Sequence, residues 1–117
     1  MISVTAPIAT VSETNRREHW SQRHKRRKAQ RQVAHQYLNL TITPPPEPPI
    51  VVTLTRISPR GLDCDNLRGA LKGTRDGVAD WLGIDDGDSR IEWRYGQERG
   101  KPKEKAVRIE IQEKRNV

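Results

Sequence analysis

The sequence predicts an α+β fold: a single domain, residues 1–117, in which a small mixed β-sheet is packed by two main helices. Segments rich in β-branched residues alternate with two helical segments, in the order strand, helix, strand, helix, strand, strand. A length of 117 residues fits one domain. Only 32% of the residues are hydrophobic and none is phenylalanine, so the core is thin and a second subunit could help to cover apolar surface.

A weak strand pattern and a long basic helix make up the N-terminal third. Residues 1–11 alternate weakly between apolar and polar side chains, which is typical of a strand. Residues 12–15 are polar and can cap a helix. Residues 15–39 contain no proline or glycine and are rich in Arg, Lys, Gln and Ala, which predicts a helix. The Pro-rich residues 44–49 exclude helix and central strand and should form an extended surface connector.

The rest of the chain predicts three strands and a second helix. A β-branched strand and a turn precede a loop that enters the helix, and a tight acidic loop leads to two alternating strands. A basic loop joins these last two strands. The segments are 50–57 (strand), 58–62 (turn), 63–82 (loop and helix), 83–89 (acidic loop), 91–97 (strand), 96–103 (basic loop) and 106–111 (strand).

The charge of the chain favours a polyanionic partner. The formal net charge is +7 and the isoelectric point is about 10.1, a balance typical of proteins that bind nucleic acid. An inert basic surface is the alternative. The one cysteine, Cys64, excludes an intramolecular disulfide and fits a reducing compartment. Because the N-terminus has no signal-peptide pattern and no apolar run reaches the ~18 residues of a membrane helix, we expect a cytoplasmic protein without a membrane partner.

The positive charge is concentrated in the predicted basic helix. Positions 16–31 hold eight Lys or Arg residues and one Glu. Such a run can be a solvated face, a disordered arm or a helix that contacts phosphates, and we favour phosphate contact. The basic loop between the last two strands should add further contacts. The residues expected to bind DNA are Arg16, Arg17, Arg23, Lys25, Arg26, Arg27, Lys28, Arg31, Arg99, Lys101 and Lys103.

The acidic residues are concentrated in the segment 63–88. It holds seven Asp and three Lys or Arg, whereas the remaining chain is strongly basic. Concentrated negative charge on a DNA-binding protein needs something to offset it, and a divalent cation would do so. Mg²⁺ prefers hard oxygen ligands, usually one or two carboxylates together with water and substrate phosphate oxygens. The segment therefore predicts a metal site.

Helical geometry places part of this segment on one face. At 100° per residue, Lys72 and Asp76 fall within roughly 20° of Asp65, and Gly69 lies between them. The apolar residues fall on the opposite side. They are Leu67, Ala70, Leu71, Thr74, Val78, Trp81 and Leu82. One face of the helix is therefore core, and the other carries a line of polar residues and glycine.

Each of these acidic residues also has a purely structural interpretation. Asp and Asn are good helix caps, and we expect one of Asp63, Asp65 and Asn66 to cap the helix. Lys72 and Asp76 have the spacing of a surface ion pair. Residues 85–88 can form a polar turn. They do not have the residue order of an EF-hand calcium loop.

The acidic segment contains, in order, the run Asp63-Cys64-Asp65-Asn66-Leu67, then Lys72, Asp76-Gly77-Val78-Ala79 and Gly83-Ile84-Asp85-Asp86. This order resembles the signature of RusA-type Holliday-junction resolvases: D-x-D-N-L, a Lys four residues before a helix Asp, and a D-D pair after a glycine and an apolar residue. The resemblance is strong over the central third of the chain and loose over the N-terminal third. The segment 66–72 is about one helical turn longer than in the compact motif, which keeps Lys72 on the same face.

The resemblance implies a small homodimeric, metal-dependent endonuclease of a kind common in phages and prophages. Such enzymes resolve four-way DNA junctions by paired nicks in DNA recombination and repair. The resemblance also implies that Asp63, Asp65 and Asp86 bind Mg²⁺, with Mn²⁺ as a substitute, and act together with Lys72 in catalysis. Asp76 and Asp85 are additional candidates. Branched DNA and a second copy of the chain are the implied partners.

Two other functions stay open at this point. A non-catalytic, phage-type nucleic-acid-binding protein would explain the basic helix but not the line of Asp65, Gly69, Lys72 and Asp76 on the second helix. A metal-dependent nuclease that acts on flaps, forks or RNA would explain both. All three functions imply affinity for duplex DNA that falls steeply with salt, so binding alone discriminates poorly between them.

Overall fold

A computed structural model describes residues 1–11 and 19–114, in which four strands and three helices follow one another. They are β1 (Ile2–Ala6), α1 (Trp20–Asn39), β2 (Ile50–Ser58), α2 (Cys64–Ala70), α3 (Lys72–Leu82), β3 (Ile91–Arg99) and β4 (Ala106–Glu113). The predicted α+β class is confirmed. The homodimer stays a prediction.

The four strands form one mixed sheet in the order β1-β4-β2-β3. β4 runs antiparallel to both of its neighbours, β1 and β2. β2 and β3 are parallel, and Ile50 pairs with Ile91 at their beginnings. Parallel strands need a crossover connection, which α2 and α3 supply here. The predicted mixed sheet is therefore confirmed.

The helices cover one face of the sheet. Because successive side chains of a strand point to opposite faces, every second residue of each strand points to the helices. The central strands contribute Ile50, Val52, Leu54, Val107, Ile109 and Ile111, and the helices meet them with Ala34, Leu38, Leu67, Leu71, Val78 and Trp81. The other face of the sheet carries charged side chains, among them Arg108, whose Nε lies 3.3 Å from an oxygen of Glu110.

The segment predicted as a single second helix is two helices. Leu71 ends α2 and precedes α3, and its backbone (φ −97°, ψ 1°) leaves the helical region. Its N–H is shared between the carbonyls of Leu67 and Arg68, at 3.2 Å each, and its side chain is fully buried. The prediction of two main helices was therefore wrong, because a buried leucine anchors a break between them. The predicted core face is confirmed: its residues are buried, except Leu82, which is partly buried.

The basic helix begins at Trp20 in the structure. The side chain of His19 caps it by accepting a hydrogen bond from the Ser21 N–H at 3.2 Å. The cap predicted at residues 12–15 and the first turn predicted at 15–18 lie outside the described residues. The helix ends at Asn39 as predicted. Residues 44–49 contain neither helix nor strand, as predicted for the connector.

Helices α1 and α3 touch through glycines. A Cβ added at Gly73 would lie 2.5 Å from Oε1 of Gln30 and 2.9 Å from the carbonyl oxygen of Arg27. A Cβ at Gly77 would overlap the carbonyl oxygen of Arg31 and lie 2.8 Å from the Cβ of Ala34. Side chains at these two positions would push the helices apart, so glycine sets the distance between them. No helix in the described ranges is long and apolar enough to cross a membrane.

A buried arginine closes one end of the core. Arg56 continues the inward-pointing series of β2 and is only 5% exposed. Its Nε donates to the Thr10 hydroxyl at 2.7 Å and its Nη1 donates to the carbonyl of Arg60. Burial lowers the pKa of Arg56 from its ordinary value. These bonds tie the segment after β1 to β2 and to the turn that leads into α2.

We expect Thr10→Val to lower the free energy of unfolding by about 2 kcal/mol, because a buried charged donor would lose its acceptor. Thr10→Ser keeps the hydroxyl and should stay within about 0.5 kcal/mol of the wild type. Urea denaturation of both variants measures the difference. Equal stabilities of the valine and serine variants would show that the hydrogen bond contributes nothing.

Candidate active site

Two of the residues that the motif assigns to catalysis meet in one ion-pair cluster. Nζ of Lys72 lies 2.9 Å from Oδ2 of Asp86 and 3.0 Å from Oδ1 of Asp76. Nε of Arg75 lies 3.0 Å from the same Asp86 oxygen. We refer to Lys72, Arg75, Asp76 and Asp86 as the ion-pair cluster. The predicted Lys72–Asp76 pair is confirmed as one part of it.

The cluster is held in place by α3 and β3. The main-chain carbonyl of Asp86 accepts hydrogen bonds from Nη2 of Arg75 at 2.8 Å and from Nε1 of Trp93 at 2.9 Å. The guanidinium of Arg75 lies over the Trp93 ring, 4.7 Å from its centre, and its Nη1 donates to the Tyr95 hydroxyl at 2.6 Å. The loop between α3 and β3 is therefore fixed at Asp86 by side chains from both elements.

The contact between Lys72 and Asp86 favours the charged form of both groups. The hydrogen bond from Lys72 lowers the pKa of Asp86, and the charges of Lys72 and Arg75 add to this effect. Burial lowers the pKa of Lys72, but its hydrogen bonds to Asp86 and Asp76 outweigh burial, and its pKa lies above the ordinary value. Both pKa shifts favour the charged forms of Lys72 and Asp86, and the pair lies within reach of solvent.

The other predicted catalytic acids lie at the start of α2. Asp63 caps this helix: its Oδ1 accepts a hydrogen bond from the Asn66 N–H at 2.9 Å. The expectation that one of Asp63, Asp65 and Asn66 is a cap is thus confirmed. Asp65 is exposed in the first turn, where the helix dipole favours a negative charge. Its side chain makes no hydrogen bond or ion pair with the residues in the described ranges.

Asp63 and Asp86 lie next to different points of β3. The amide side chain of Gln97 binds both the N–H and the carbonyl of Leu62, next to Asp63, at 2.9 and 2.7 Å. Asp86 is bound to Trp93. Trp93 and Gln97 lie four residues apart on one strand, which corresponds to about 13 Å. The oxygen donors are of the type that Mg²⁺ prefers, but their positions do not fit one ion in this arrangement. Within residues 1–11 and 19–114, no group of three or more His, Cys, Asp or Glu side chains could hold a metal.

Residues 85–88 form a polar turn, as their purely structural interpretation predicted. The Asp88 carboxylate accepts hydrogen bonds from the backbone and guanidinium of Arg90, which lower its pKa to about 2. Oδ1 of Asp85 lies 3.4 Å from the N–H of Gly87. Asp85 is exposed on this turn, next to the ion-pair cluster.

A cationic pocket opens beside the ion-pair cluster. Its volume is about 530 Å³, and its lining consists of Arg27, Arg68, Gly69, Lys72, Arg75, Trp93 and Tyr95. Sequence reasoning placed Gly69 and Lys72 on this face but missed Arg68, Arg75, Trp93 and Tyr95 as site residues. The inward alternation of Trp93 and Tyr95 was a usable signal, because two aromatic rings two residues apart on an edge strand lie on the same face.

A second groove lies between α1 and α3. It has a volume of about 850 Å³ and is lined by His24, Arg27, Lys28, Arg31, Gln32, His35, Gln36, Asp76 and Asp80. Arg31 and Asp80 form an ion pair across it, with Nη2 to Oδ1 at 2.6 Å. The hydrogen bond from Arg31 lowers the pKa of Asp80. This pair links the two helices next to their glycine contact.

The predicted DNA-binding residues fall on two surfaces. Lys25, Lys28 and Arg31 are exposed on α1, whereas Arg23, Arg26 and Arg27 are half-buried. Arg99, Lys101 and Lys103 are exposed at the end of β3 and in the loop that follows it. Arg16 and Arg17 lie outside the described residues. The structure thus places the cations of α1 and those of the β3–β4 loop on separate elements.

We expect the free energy of unfolding to fall as the pH drops below about 4, the ordinary carboxyl pKa in an unfolded chain. The pKa values of Asp80, Asp86 and Asp88 are lowered in the folded state, so their contribution is complete above that pH and is lost as the pH falls through the lowered pKa values, of which that of Asp88 is about 2. Urea denaturation at several pH values measures this slope. Because the Arg31–Asp80 pair is well exposed, Asp80→Asn should make the slope shallower and reduce the total loss of stability over this pH range by about 0.5 kcal/mol. An unchanged slope in this variant would exclude the pair as a source.

Comparison with models of known protein families and with curated proteins finds no match for this chain.

Proposed function

We propose that this protein is a Mg²⁺-dependent, structure-selective endodeoxyribonuclease that resolves four-way DNA junctions by paired nicks, as a homodimer, in DNA recombination and repair. The observation that carries the proposal is the contact between Lys72 and Asp86 at 2.9 Å. The motif assigns both residues to catalysis, and they come from different segments of the chain. The resemblance of residues 63–86 to RusA-type resolvases supports the same reaction.

The residues of the ion-pair cluster suit phosphodiester hydrolysis. Lys72 is held as a cation beside an ionised carboxylate, so it can stabilise the negative charge that develops on a phosphate in the transition state. Asp86 is held as a carboxylate and fixed through its main chain, so it can position Lys72. The requirement for Mg²⁺ rests on the motif, which assigns Asp63, Asp65 and Asp86 as ligands.

The exposed cations of α1 and of the β3–β4 loop supply the DNA contacts in this proposal. Contacts to phosphates position DNA without reading its sequence, which suits selection by shape. In a two-fold dimer the two copies of the site would face two strands of the junction, and two-fold dimers are the commonest closed oligomers. The paired nicks therefore require the dimer.

One observation favours the alternative of a non-catalytic nucleic-acid-binding protein. Asp86 is already neutralised by Lys72 and Arg75, and Asp63 and Asp65 lie at the other end of the site. A protein that only binds DNA needs no metal site, and carboxylates that are neutralised and separated in this way are compatible with that function. The alternative and the proposal differ in cleavage, not in affinity.

The test is cleavage of a synthetic four-way junction beside a linear duplex, a flap, a fork and an RNA duplex, with and without Mg²⁺. Asp65→Asn is the informative variant, because Asp65 is exposed and its loss should leave folding intact. Asp88→Asn is the matched control: it removes a carboxylate from the same segment, outside the assigned residues. We expect paired nicks in the junction only, dependent on Mg²⁺, absent in Asp65→Asn and retained in Asp88→Asn.

Other outcomes redirect the assignment. Cleavage mainly of flaps, forks or RNA would keep the nuclease but change its substrate. Binding without cleavage under Mg²⁺ or Mn²⁺ would overturn the enzyme and favour the binding protein. Sedimentation of the protein alone and with junction DNA measures the dimer, and a monomer in both states would contradict paired nicking.

A further inference from the structure

The cationic pocket is built from two stacked pairs of an arginine and an aromatic ring. The guanidinium of Arg68 lies over the Tyr95 ring, 5.7 Å from its centre, and that of Arg75 lies over Trp93 at 4.7 Å. Both rings belong to β3, two residues apart, and point to the same face of the sheet. The pocket wall therefore presents flat, polarisable groups together with positive charge.

Arg68 is the cation of this wall with free capacity. Lys72 and Arg75 are engaged by the carboxylate of Asp86. Arg68 is exposed, has no carboxylate partner among the described residues, and lies over the Tyr95 ring. A guanidinium offers five N–H donors in a planar fork that matches a phosphate group. Arg68 can therefore bind an anion without losing an ion pair.

Gly69 keeps the pocket open. A Cβ added at this position would meet no atom within 4 Å, in contrast to the crowded glycines of α3. No packing in the described structure requires a glycine here. A side chain at position 69 would instead extend into the pocket between Arg68 and Lys72.

We propose that the cationic pocket is a subsite for one unpaired nucleotide, which binds its phosphate at Arg68 and lays its base against the wall formed by Tyr95 and its neighbouring guanidinium. Bases that leave the double helix stack on aromatic rings and on guanidinium planes, and this stacking tolerates any sequence. A paired base has both faces covered by its neighbours, so only an unpaired nucleotide fits. The inference rests on the proposed function, because it names the part of a branched substrate that enters beside Asp86.

The test measures affinity for a short oligothymidine strand and for a duplex of equal length, in the presence of a chelator. Arg68→Gln and Gly69→Glu should each weaken binding of the single strand about tenfold, which corresponds to about 1.4 kcal/mol. Arg60→Gln is the matched control, since Arg60 is an exposed arginine outside the pocket lining. Tyr95→Phe should keep the affinity that Tyr95→Leu loses, because the ring rather than the hydroxyl carries the stacking. Thermal denaturation of each variant checks that it is folded.

Three results would overturn the inference. Arg68→Gln and Gly69→Glu could bind the single strand like the wild type. The duplex could bind the pocket as well as the single strand does, with the same loss in Arg68→Gln. Inorganic phosphate could compete fully while the two Tyr95 variants bind alike, which would reduce the pocket to an anion site. The assay contains no metal and no cleavage step, so failure of the nuclease proposal leaves its result interpretable.

Discussion

Replacement of Gly77 by alanine should lower the free energy of unfolding by about 2 kcal/mol. The added Cβ would overlap the carbonyl oxygen of Arg31 and crowd the Cβ of Ala34, and neither atom can rotate away. Overpacking of this kind costs about 1–3 kcal/mol or more, and it outweighs the gain of up to about 1 kcal/mol that alanine brings to a helix interior. Urea denaturation measures the change.

Gly69→Ala is the control for this prediction. The substitution is the same and the residue is again helical, but nothing lies within 4 Å of the added Cβ. We expect Gly69→Ala to raise the free energy of unfolding by about 0.5–1 kcal/mol. The two variants should therefore move stability in opposite directions. Stabilisation by both would mean that α1 and α3 can separate at little cost.

In the junction-cleavage assay, Lys72→Ala should lower the single-turnover rate about 100-fold, the size typical of losing one electrostatic contact to a transition state. Lys72 lies between the carboxylates of Asp76 and Asp86, so its removal also leaves more negative charge in the cluster, where Arg75 alone then pairs with Asp86. Rates at saturating protein separate this effect from a loss of affinity.

Lys101→Ala provides the comparison for Lys72→Ala. Lys101 is exposed in the β3–β4 loop, where a phosphate contact would contribute to binding only. This variant should weaken binding, reduce its salt dependence and leave the saturated rate within about twofold of the wild type. A saturated rate in Lys72→Ala equal to that of the wild type would limit Lys72 to holding Asp86.

The elements and the core face were predictable from the sequence because burial follows a simple period. β-Branched residues indicated β2, alternation indicated β3 and β4, and helical spacing indicated the buried side of residues 67–82. The break at Leu71 was not predictable in this way. Both helices turn the same side to the core across the break, so the apolar period continues and hides it. The glycine contacts of α3 become visible only when α1 lies against them.

Those contacts of the candidate site that join residues close together in the sequence were predictable. The spacing of Lys72 and Asp76 indicated an ion pair, and Asp63 was in the position of a cap, as the structure has both. The contact of Asp86 with Arg75 and Trp93 depends on the path of a loop and on a parallel strand pairing, which have no short-range signal. The distance between Asp63 and Asp86 depends on β3, which anchors the segments of both residues.

Strand β3 restricts how this site can vary in length. Trp93 holds the Asp86 loop and Gln97 holds the loop before α2, so the strand between them sets the spacing of the two ends. An insertion or deletion of one residue between Trp93 and Gln97 would turn one of these two side chains to the opposite face of the sheet. Only changes of two residues preserve both anchors, and each alters the spacing by about 7 Å. Length variation in this strand should therefore occur in even steps, so that the site has discrete sizes rather than a continuous range.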